Sequence, residues 1–213
     1  MSKNNYAICI TRTCGSGGTE IGKMLSAQLG IDLYDRKLLR LASDDSGINE
    51  KLFAKADQDM KKTVLYKVSK SIYNGEKIPP ESGNFLSDRS LFDFQARVLK
   101  GLLKKESFVV LGRAADFVLR EEQNAVSIFL TASPEACFKR EQEIMQLDEL
   151  GVNRHIKSIN SYRSDYYKYH TGRKWKNVEN YDLVLKTDAL GYQGCVDMII
   201  DYVEKRLGTS IQS

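Results

Sequence analysis

The 213-residue chain has 42% hydrophobic and 28% charged residues and only three prolines, which predicts one globular domain and excludes a disordered or proline-rich protein. Its 32 basic and 28 acidic side chains give a net charge of +4, which suits an anionic ligand but is too weak to indicate a nucleic-acid or membrane partner. No apolar run approaches the length of a membrane span, and the four cysteines lack paired spacing, so we expect a cytoplasmic protein with reduced thiols.

The first predicted element is an apolar, β-prone run from Tyr6 to Thr11, which ends in a glycine-rich turn. The stretch EIGKMLSAQLG then repeats apolar residues at helical spacing, and Gly30 predicts the end of this helix. Four later runs have strand character and precede helical spacing: IDLYD, SFVVLG, AVSIFLT and YDLVLKT. This alternation predicts an α/β fold with a parallel sheet covered by helices on both faces.

Two long helical intervals interrupt the alternation. The interval from about residue 38 to 105 is broken at NGEKIPPESGN and is longer than a crossover helix requires, which predicts a substrate-side helical insertion. The interval from Ser133 to about His170 is rich in charged and aromatic residues and fits either a mobile lid or a solvated helical hairpin. Neither interval indicates a second domain, so we expect residues 1–213 to form one.

The turn RTCGSGGTEIGK, residues 12–23, fits the phosphate-loop pattern G-x-x-x-x-G-K-[ST] in two registers. A literal match places Gly22 and Lys23 at the glycine and lysine positions, but Met24 then stands where the hydroxyl belongs. This register also leaves several residues between the strand and the motif. Because the motif works at the junction of a strand and a helix, we regard the literal match as accidental.

The second register begins at Arg12, where the strand ends. It places Gly17 at the later glycine, Gly18 at the lysine position and Thr19 at the hydroxyl position that holds Mg²⁺. Five residues would form the backbone cradle for phosphate: Gly15, Ser16, Gly17, Gly18 and Thr19. Since the lysine is absent, we expect Arg12 to supply the positive charge, with a lid arginine as second candidate. The alternative is that GSGG is merely a tight turn between strand and helix.

A thiol also lies in this loop. Cys14 stands beside the predicted helix N-terminus, a position that can lower the pKa of a thiol. A reduced structural thiol is the simpler interpretation, and with only two histidines the chain offers little material for a zinc site.

Further motifs follow the later strands. VVLGRAADFVL and AVSIFLTASPEACFKR, together with YDRKLL and YDLVLKTDALG, resemble the cytidylate kinase-like branch of the P-loop nucleoside monophosphate kinases over most of the chain. The resemblance implies a P-loop NTPase-type sheet of five parallel strands, an acceptor-binding insertion at about 38–105 and a lid at about 139–163. It also implies ATP and Mg²⁺ as cofactors and a nucleotide substrate, with CMP as the first candidate acceptor.

The resemblance further implies substrate-binding residues. Arg113 of GRAAD would hold the acceptor, and Asp116 would lie close to the same pocket. Asp35 matches the aspartate that follows the second strand, and Arg40 falls near the family's acceptor-phosphate arginine. The alternatives are that Arg113 pairs with Asp116 and that Asp35 only caps a helix.

Arginines of the lid region complete the catalytic candidates. Arg140 opens the lid, and Arg163 resembles an arginine just beyond it that contacts phosphate, so both join Arg12 as candidate catalytic residues. Solvated helix charges are the alternative for both lid arginines. Asn160 stands where cytidylate kinases tend to carry aspartate.

Two other segments allow a functional or an ordinary interpretation. Gln95 and Arg97 lie in the insertion and either contact substrate or belong to a packed helix. The cluster GRKWK, residues 172–176, combines basic residues with the single tryptophan, as a nucleic-acid stacking site would. A surface turn before the last strand is the better interpretation.

Three functions remain after these observations. The leading hypothesis is ATP-dependent phosphoryl transfer to a nucleoside monophosphate. The absent loop lysine leaves open a nucleotide-binding protein that no longer catalyses transfer. A kinase of another small metabolite is the third, because pocket shape rather than fold selects the acceptor. The oligomeric state is left open.

Overall fold

The computed structural model describes residues 5–35, 64–72 and 89–211. Its sheet contains five strands: β1 (Ala7–Arg12), β2 (Asp32–Tyr34), β3 (Phe108–Leu111), β4 (Ala125–Thr131) and β5 (Leu183–Lys186). The strands lie in the order β2-β3-β1-β4-β5, and every neighbouring pair is parallel. The five strands match the predicted runs to within two residues at each end, so the predicted α/β fold with a parallel sheet of five strands is confirmed.

Helices connect and cover these strands. They are α1 (Gly18–Leu29), α2 (Val64–Ile72), α3 (Arg89–Leu103), α4 (Ala115–Val118), α5 (Pro134–Met145), α6 (Glu149–Thr171) and α7 (Thr187–Leu207), with a short 3₁₀ turn at Val178–Asn180. Over the described ranges, none of the helices combines the length and apolar character needed to cross a membrane.

Side chains of the strands alternate between two apolar clusters, one on each face of the sheet. Ile8 and Ile10 of β1 join the cluster that packs against α1 and α7. Ala7 and Cys9 join the opposite cluster, which contains residues of α2, α3, α4 and α6. Because both faces are buried, the strands are apolar at successive positions, as is typical of a parallel sheet.

The strand order places the carboxyl ends of β1 and β3 side by side. From β1 the chain crosses to β2 on one side of the sheet, and from β3 it crosses to β4 on the other side of β1. Ligands of open α/β sheets bind outside the carboxyl ends of the strands at such a reversal. The glycine-rich turn after β1 and the GRAAD turn after β3 therefore meet at the expected ligand position.

The two long helical intervals have different outcomes. From the insertion at 38–105, the described part contains α2 and α3, which pack so closely that a Cβ on Gly101 would lie 2.7 Å from Val68. The interval from Ser133 to His170 forms a hairpin of α5 and α6, which meet near Gln146. The hairpin is not wholly solvated, since α6 buries Val152 and two tyrosines. A lid at 139–163 and a single domain over the whole chain stay predictions.

Candidate phosphate-binding site

The glycine-rich turn leads directly into the N-terminus of α1. Helix α1 begins at Gly18, after Gly17 as N-cap with φ of 73°, and Gly15 has φ of 78°. Both glycines adopt the left-handed conformation that few other residues tolerate. The helix start agrees with the register that begins at Arg12, whereas Lys23 is an exposed residue of α1. The first N–H groups of α1 have no intrahelical acceptor and form an anion-binding end.

The side chain of Arg12 fills the space beside the lysine position of the motif. A Cβ on Gly18 would lie 2.7 Å from both Cβ and Cγ of Arg12, too close for any real side chain. The guanidinium reaches toward the β3 turn, where a Cβ on Gly112 would lie 2.8 Å from Nη1 of Arg12. Within the described part of the chain, Nε of Arg12 is buried and has no hydrogen-bond partner. The Nε–H group of the charged Arg12 side chain can therefore still donate a hydrogen bond.

Three arginines converge beside this loop. Arg163 of α6 donates a hydrogen bond from Nη1 to the carbonyl oxygen of Arg12, with an N–O distance of 2.9 Å. Burial, followed by the charge of Arg163, lowers the pKa of Arg12 to about 9; Arg113 acts in the same direction, while Asp35 opposes the shift. Arg12 therefore stays protonated at neutral pH. Three like charges at close range favour an anion between them.

A cavity of about 130 Å³ opens among these arginines. Its other walls come mainly from α6 and from the segment that follows α6. The lining residues include Thr11, Ile159, Tyr162, Tyr166, Tyr167 and Trp175. The centre of the Arg113 guanidinium lies 5.1 Å from the ring centroid of Tyr166, within the range of a cation–π interaction. Sequence analysis missed the wall residues of α6, although INSYRSDYYKYH repeats them at helical spacing.

Asp116 supports the cavity wall from behind. Its Oδ2 accepts a hydrogen bond of 2.6 Å from the hydroxyl of Tyr167, and its Oδ1 lies 3.5 Å from the hydroxyl of Thr11. Burial raises the pKa of Asp116 to about 6, although the hydrogen bond from Tyr167 acts in the opposite direction. Asp116 thus bonds two residues that line the cavity.

Hydrogen bonds from distant elements hold the phosphate loop. Oδ1 of Asn160 on α6 accepts the N–H of Cys14 at 2.8 Å. At the other end of the loop, the hydroxyl of Thr187 donates to the carbonyl oxygen of Ser16, also at 2.8 Å. Sequence analysis noted Asn160 only as a departure from the cytidylate kinases and missed Thr187.

Arg140 does not join the arginine cavity. It lies on α5, forms an ion pair of 2.7 Å with Glu20 in the first turn of α1, and contacts the hydroxyl of Tyr192. We expected a lid arginine directed at phosphate, and the structure instead pairs it with α1, because Glu20 presents a carboxylate at this point.

The remaining predicted residues occupy various positions. Thr19 is partly exposed and lies in the first turn of α1. Asp35 is partly exposed just after β2 and acts electrostatically on Arg12. Arg40 lies outside the described residues.

Cys14 differs from the expectation of an activated thiol. It is 5% exposed, and burial together with the charge of Glu141 raises its pKa to about 11. The cost of burying a thiolate outweighs any effect of the nearby helix terminus. The simpler interpretation, a structural thiol, therefore agrees with this burial, and the alternative of a lowered pKa does not.

The GRKWK turn is exposed except for its tryptophan. Its basic residues are exposed, but Trp175 is 4% exposed and packs edge-on against Phe129. Tyr181 donates a hydrogen bond of 2.6 Å to the carbonyl oxygen of Trp175. The tryptophan belongs to the core and the cavity wall, so it is not available to stack on nucleic acid.

Gln95 of α3 is 2% exposed. Neither Oε1 nor Nε2 of its amide finds a hydrogen-bond partner among the described residues. The guanidinium of Arg97 lies 5.8 Å from the ring centroid of Phe94. Contact of Gln95 or Arg97 with substrate stays a prediction.

Comparison with known proteins identifies the family of the chain. The model of the "Cytidylate kinase-like family" matches residues 7–189. A cytidylate kinase of Fervidobacterium nodosum is 29% identical over 160 residues, which cover 68% of this chain and 72% of that protein. A crystal structure of an uncharacterized protein from Eubacterium ventriosum shares the fold, with a TM-score of 0.71 and 22% identity over 94% of this chain and 99% of that one. The match over residues 7–189 shows that the chain belongs to the cytidylate kinase-like family.

Proposed function

We propose that the protein transfers a phosphoryl group from ATP to a nucleoside monophosphate, with CMP as the first candidate acceptor. Family membership supports a kinase. The observation that carries the proposal is the convergence of Arg12, Arg113 and Arg163 on one cavity beside the phosphate loop. Phosphoryl transfer depends on positioning and on neutralising charge, and this arrangement supplies both.

In this proposal the phosphate loop binds ATP. Backbone N–H groups from Gly15 to Thr19 would hold its phosphates at the N-terminus of α1. The hydroxyl of Thr19 fits Mg²⁺ as a ligand, because it is partly exposed beside this anion-binding end. The ion would neutralise phosphate charge when bound.

Arginines would replace the missing lysine. Arg12 fills the volume beside Gly18, so its guanidinium would contact the phosphate that a loop lysine usually reaches. Arg163 would stabilise the transferred group, because it lines the same cavity. Arg140 would join them only after its ion pair with Glu20 breaks.

Arg113 would hold the acceptor's phosphate. Its planar guanidinium suits two phosphate oxygens, and it lines the cavity directly after β3. The cavity of about 130 Å³ has room for a phosphate group. The nucleoside would extend outward, where Asp35 and Arg40 are the remaining candidates for contacts. Asp116 would help to position the cavity wall through its hydrogen bond with Tyr167.

One observation favours a second function. The lysine position is Gly18, and Arg12 blocks any side chain there. A protein that binds nucleotide without transferring phosphate would tolerate this arrangement. A kinase with another small phosphorylated or hydroxylated acceptor would also use the arginine cavity.

Product analysis separates these functions. Purified protein is incubated with ATP and Mg²⁺ and with CMP, dCMP, UMP, AMP or GMP, and ADP and nucleoside diphosphates are quantified chromatographically. We expect acceptor-dependent diphosphate that disappears in Arg113→Ala. Full turnover in that variant would overturn the assignment of Arg113, and ATP binding without product from any acceptor would favour the binding protein.

A further inference from the structure

Three potential metal ligands from separate elements of the structure meet beside the phosphate loop. Cys14 lies in the loop, Glu141 on α5 and His155 on α6. Their sulfur, carboxylate oxygen and imidazole nitrogen all lie within 4.8 Å of one another. These residues are far apart in sequence, so only the folded chain brings them together.

We propose that Cys14, Glu141 and His155 form a three-ligand site for a divalent transition-metal ion, of which Zn²⁺ is the best match. Zn²⁺ takes this mixture of sulfur, nitrogen and oxygen ligands, and a site with three protein ligands keeps a fourth position for solvent. Its ligand set differs from that of the proposed Mg²⁺ position at Thr19, because Mg²⁺ prefers oxygen ligands.

The distances suit a tetrahedral ion. Oε2 of Glu141 lies 3.5 Å from Nε2 of His155. Metal–ligand bonds of about 2.0–2.2 Å in tetrahedral geometry separate such atoms by about 3.4 Å. The sulfur of Cys14 lies within 4.8 Å of both atoms, so it would need to approach by at most about 1.2 Å to reach the sulfur–ligand separation of about 3.6 Å.

Charge and access also fit a cation. A thiolate and a carboxylate supply two negative charges, which balance a divalent ion with a neutral imidazole. Arg163 and Arg12 both act electrostatically on Cys14. Their positive charges favour the thiolate that the site needs, and they also repel a bound cation. The side chains of Glu141 and His155 keep 12% and 29% exposure, so an ion can enter from solvent after Cys14, which is buried, loses its proton.

A bound ion would tie the phosphate loop to the α5–α6 hairpin. Asn160 and Arg163 of α6 already contact the loop backbone, and the ion would add a bond to α5. Because the ligands come together only in the folded chain, binding would raise the melting temperature.

The test titrates the full chain, without an affinity tag, reduced and stripped of metal. Zn²⁺ is added in competition with a chromophoric chelator, and Co²⁺ serves as a spectroscopic probe. We expect one ion per chain, a sulfur-to-cobalt charge-transfer band, and a rise in melting temperature with Zn²⁺. His155→Asn and Glu141→Gln should each weaken Zn²⁺ binding by more than the ~10–100-fold typical of losing an outer-shell partner, and Cys14→Ala should abolish the charge-transfer band.

Two matched variants serve as controls. His170→Asn removes the other histidine, and Cys195→Ala removes a buried thiol in the apolar cluster that packs against α1 and α7. Both should keep wild-type Zn²⁺ affinity. Should Cys14→Ala fail to fold, the two variants on α5 and α6 decide alone, because their side chains are partly exposed. Absence of stoichiometric binding, or equal binding in all variants, would reduce the cluster to a polar contact between Glu141 and His155 beside a packed thiol.

Discussion

The stem of Arg12 occupies the volume that any side chain in place of Gly18 would need. A Cβ on residue 18 would lie 2.7 Å from Cβ and Cγ of Arg12, so the arginine stem and a lysine at position 18 exclude each other. In the register that begins at Arg12, the glycine at position 18 therefore leaves room for the arginine stem. A cation reaches this region from the end of β1 instead of from the first turn of α1.

The pairing predicts that a lysine cannot simply be restored. Gly18→Lys should lower the free energy of unfolding by about 1–3 kcal/mol through overpacking, and Arg12→Gly should lower the transfer rate by about 10²–10³. Arg12→Gly/Gly18→Lys should recover both stability and part of the rate, since the clash is gone and a cation returns. Urea unfolding and ADP formation measure the two effects.

The control for this series is Gly194→Ala in α7, where the added Cβ would meet only Leu190 at 3.6 Å. It should be neutral or stabilising, as expected for a glycine inside a helix. A single Gly18→Lys variant with wild-type stability and rate would show that Arg12 does not fill the lysine position.

Asn160 should position the phosphate loop through one hydrogen bond. Asn160→Ala leaves the N–H of Cys14 without its acceptor and should cost about 1–3 kcal/mol of unfolding free energy and weaken ATP binding. Asn160→Asp keeps an acceptor but adds negative charge, so it should preserve stability and still weaken ATP binding. Denaturation and calorimetric titration with ATP separate these outcomes.

Asn153→Ala, on the exposed side of α6, is the matched control. Equal stability and equal ATP binding of Asn153→Ala and Asn160→Ala would contradict the prediction.

Arg113 combines a strained backbone with its proposed function. Its φ is +59°, and the next residue, Ala114, has φ of +51°. Such left-handed residues other than glycine carry a cost of about 1–2 kcal/mol. Arg113→Gly should therefore be about 1 kcal/mol more stable than Arg113→Ala, while both lose phosphoryl transfer. Thermal unfolding and product assays test the two statements, and identical stability of the variants would show that the backbone is not strained.

The raised pKa of Asp116 predicts a specific pH dependence of the free energy of unfolding. Its folded pKa of about 6 lies above the usual value of 3.8, so the folded chain binds this proton more tightly than the unfolded chain. The resulting stabilisation is complete below about pH 4 and is lost as the pH rises through about 6. Between pH 4 and 7, Asp116→Asn should gain on the order of 3 kcal/mol in unfolding free energy relative to wild type, at about 1.36 kcal/mol per pKa unit.

Urea unfolding at several pH values measures this difference. Asp165→Asn, on the exposed side of α6, is the control and should follow wild type. Tyr167→Phe removes a donor that stabilises the ionised form, so it should raise the pKa of Asp116 further. A constant difference between wild type and Asp116→Asn across pH would refute the raised pKa.

The strands and the phosphate-loop register followed from local patterns in the sequence. The sheet could be predicted because each strand is an apolar run with a helical segment after it, and the run AVSIFLT coincides with β4. The glycines at 15 and 17 indicated a turn into α1, because few other residues adopt their conformation. These features depend on neighbours in the chain, so they can be read without tertiary contacts.

The cavity and its charges were decided only by tertiary structure. Arg163 reaches the carbonyl oxygen of Arg12 across 151 residues, and no local pattern records that contact. The same holds for the pairing of Arg140 with Glu20 and for the raised pKa of Cys14, which depend on what packs around each group. Sequence by itself determined the strands, the loop and the family resemblance, whereas burial and long-range proximity determined which side chains share a site, because both arise only when the chain folds.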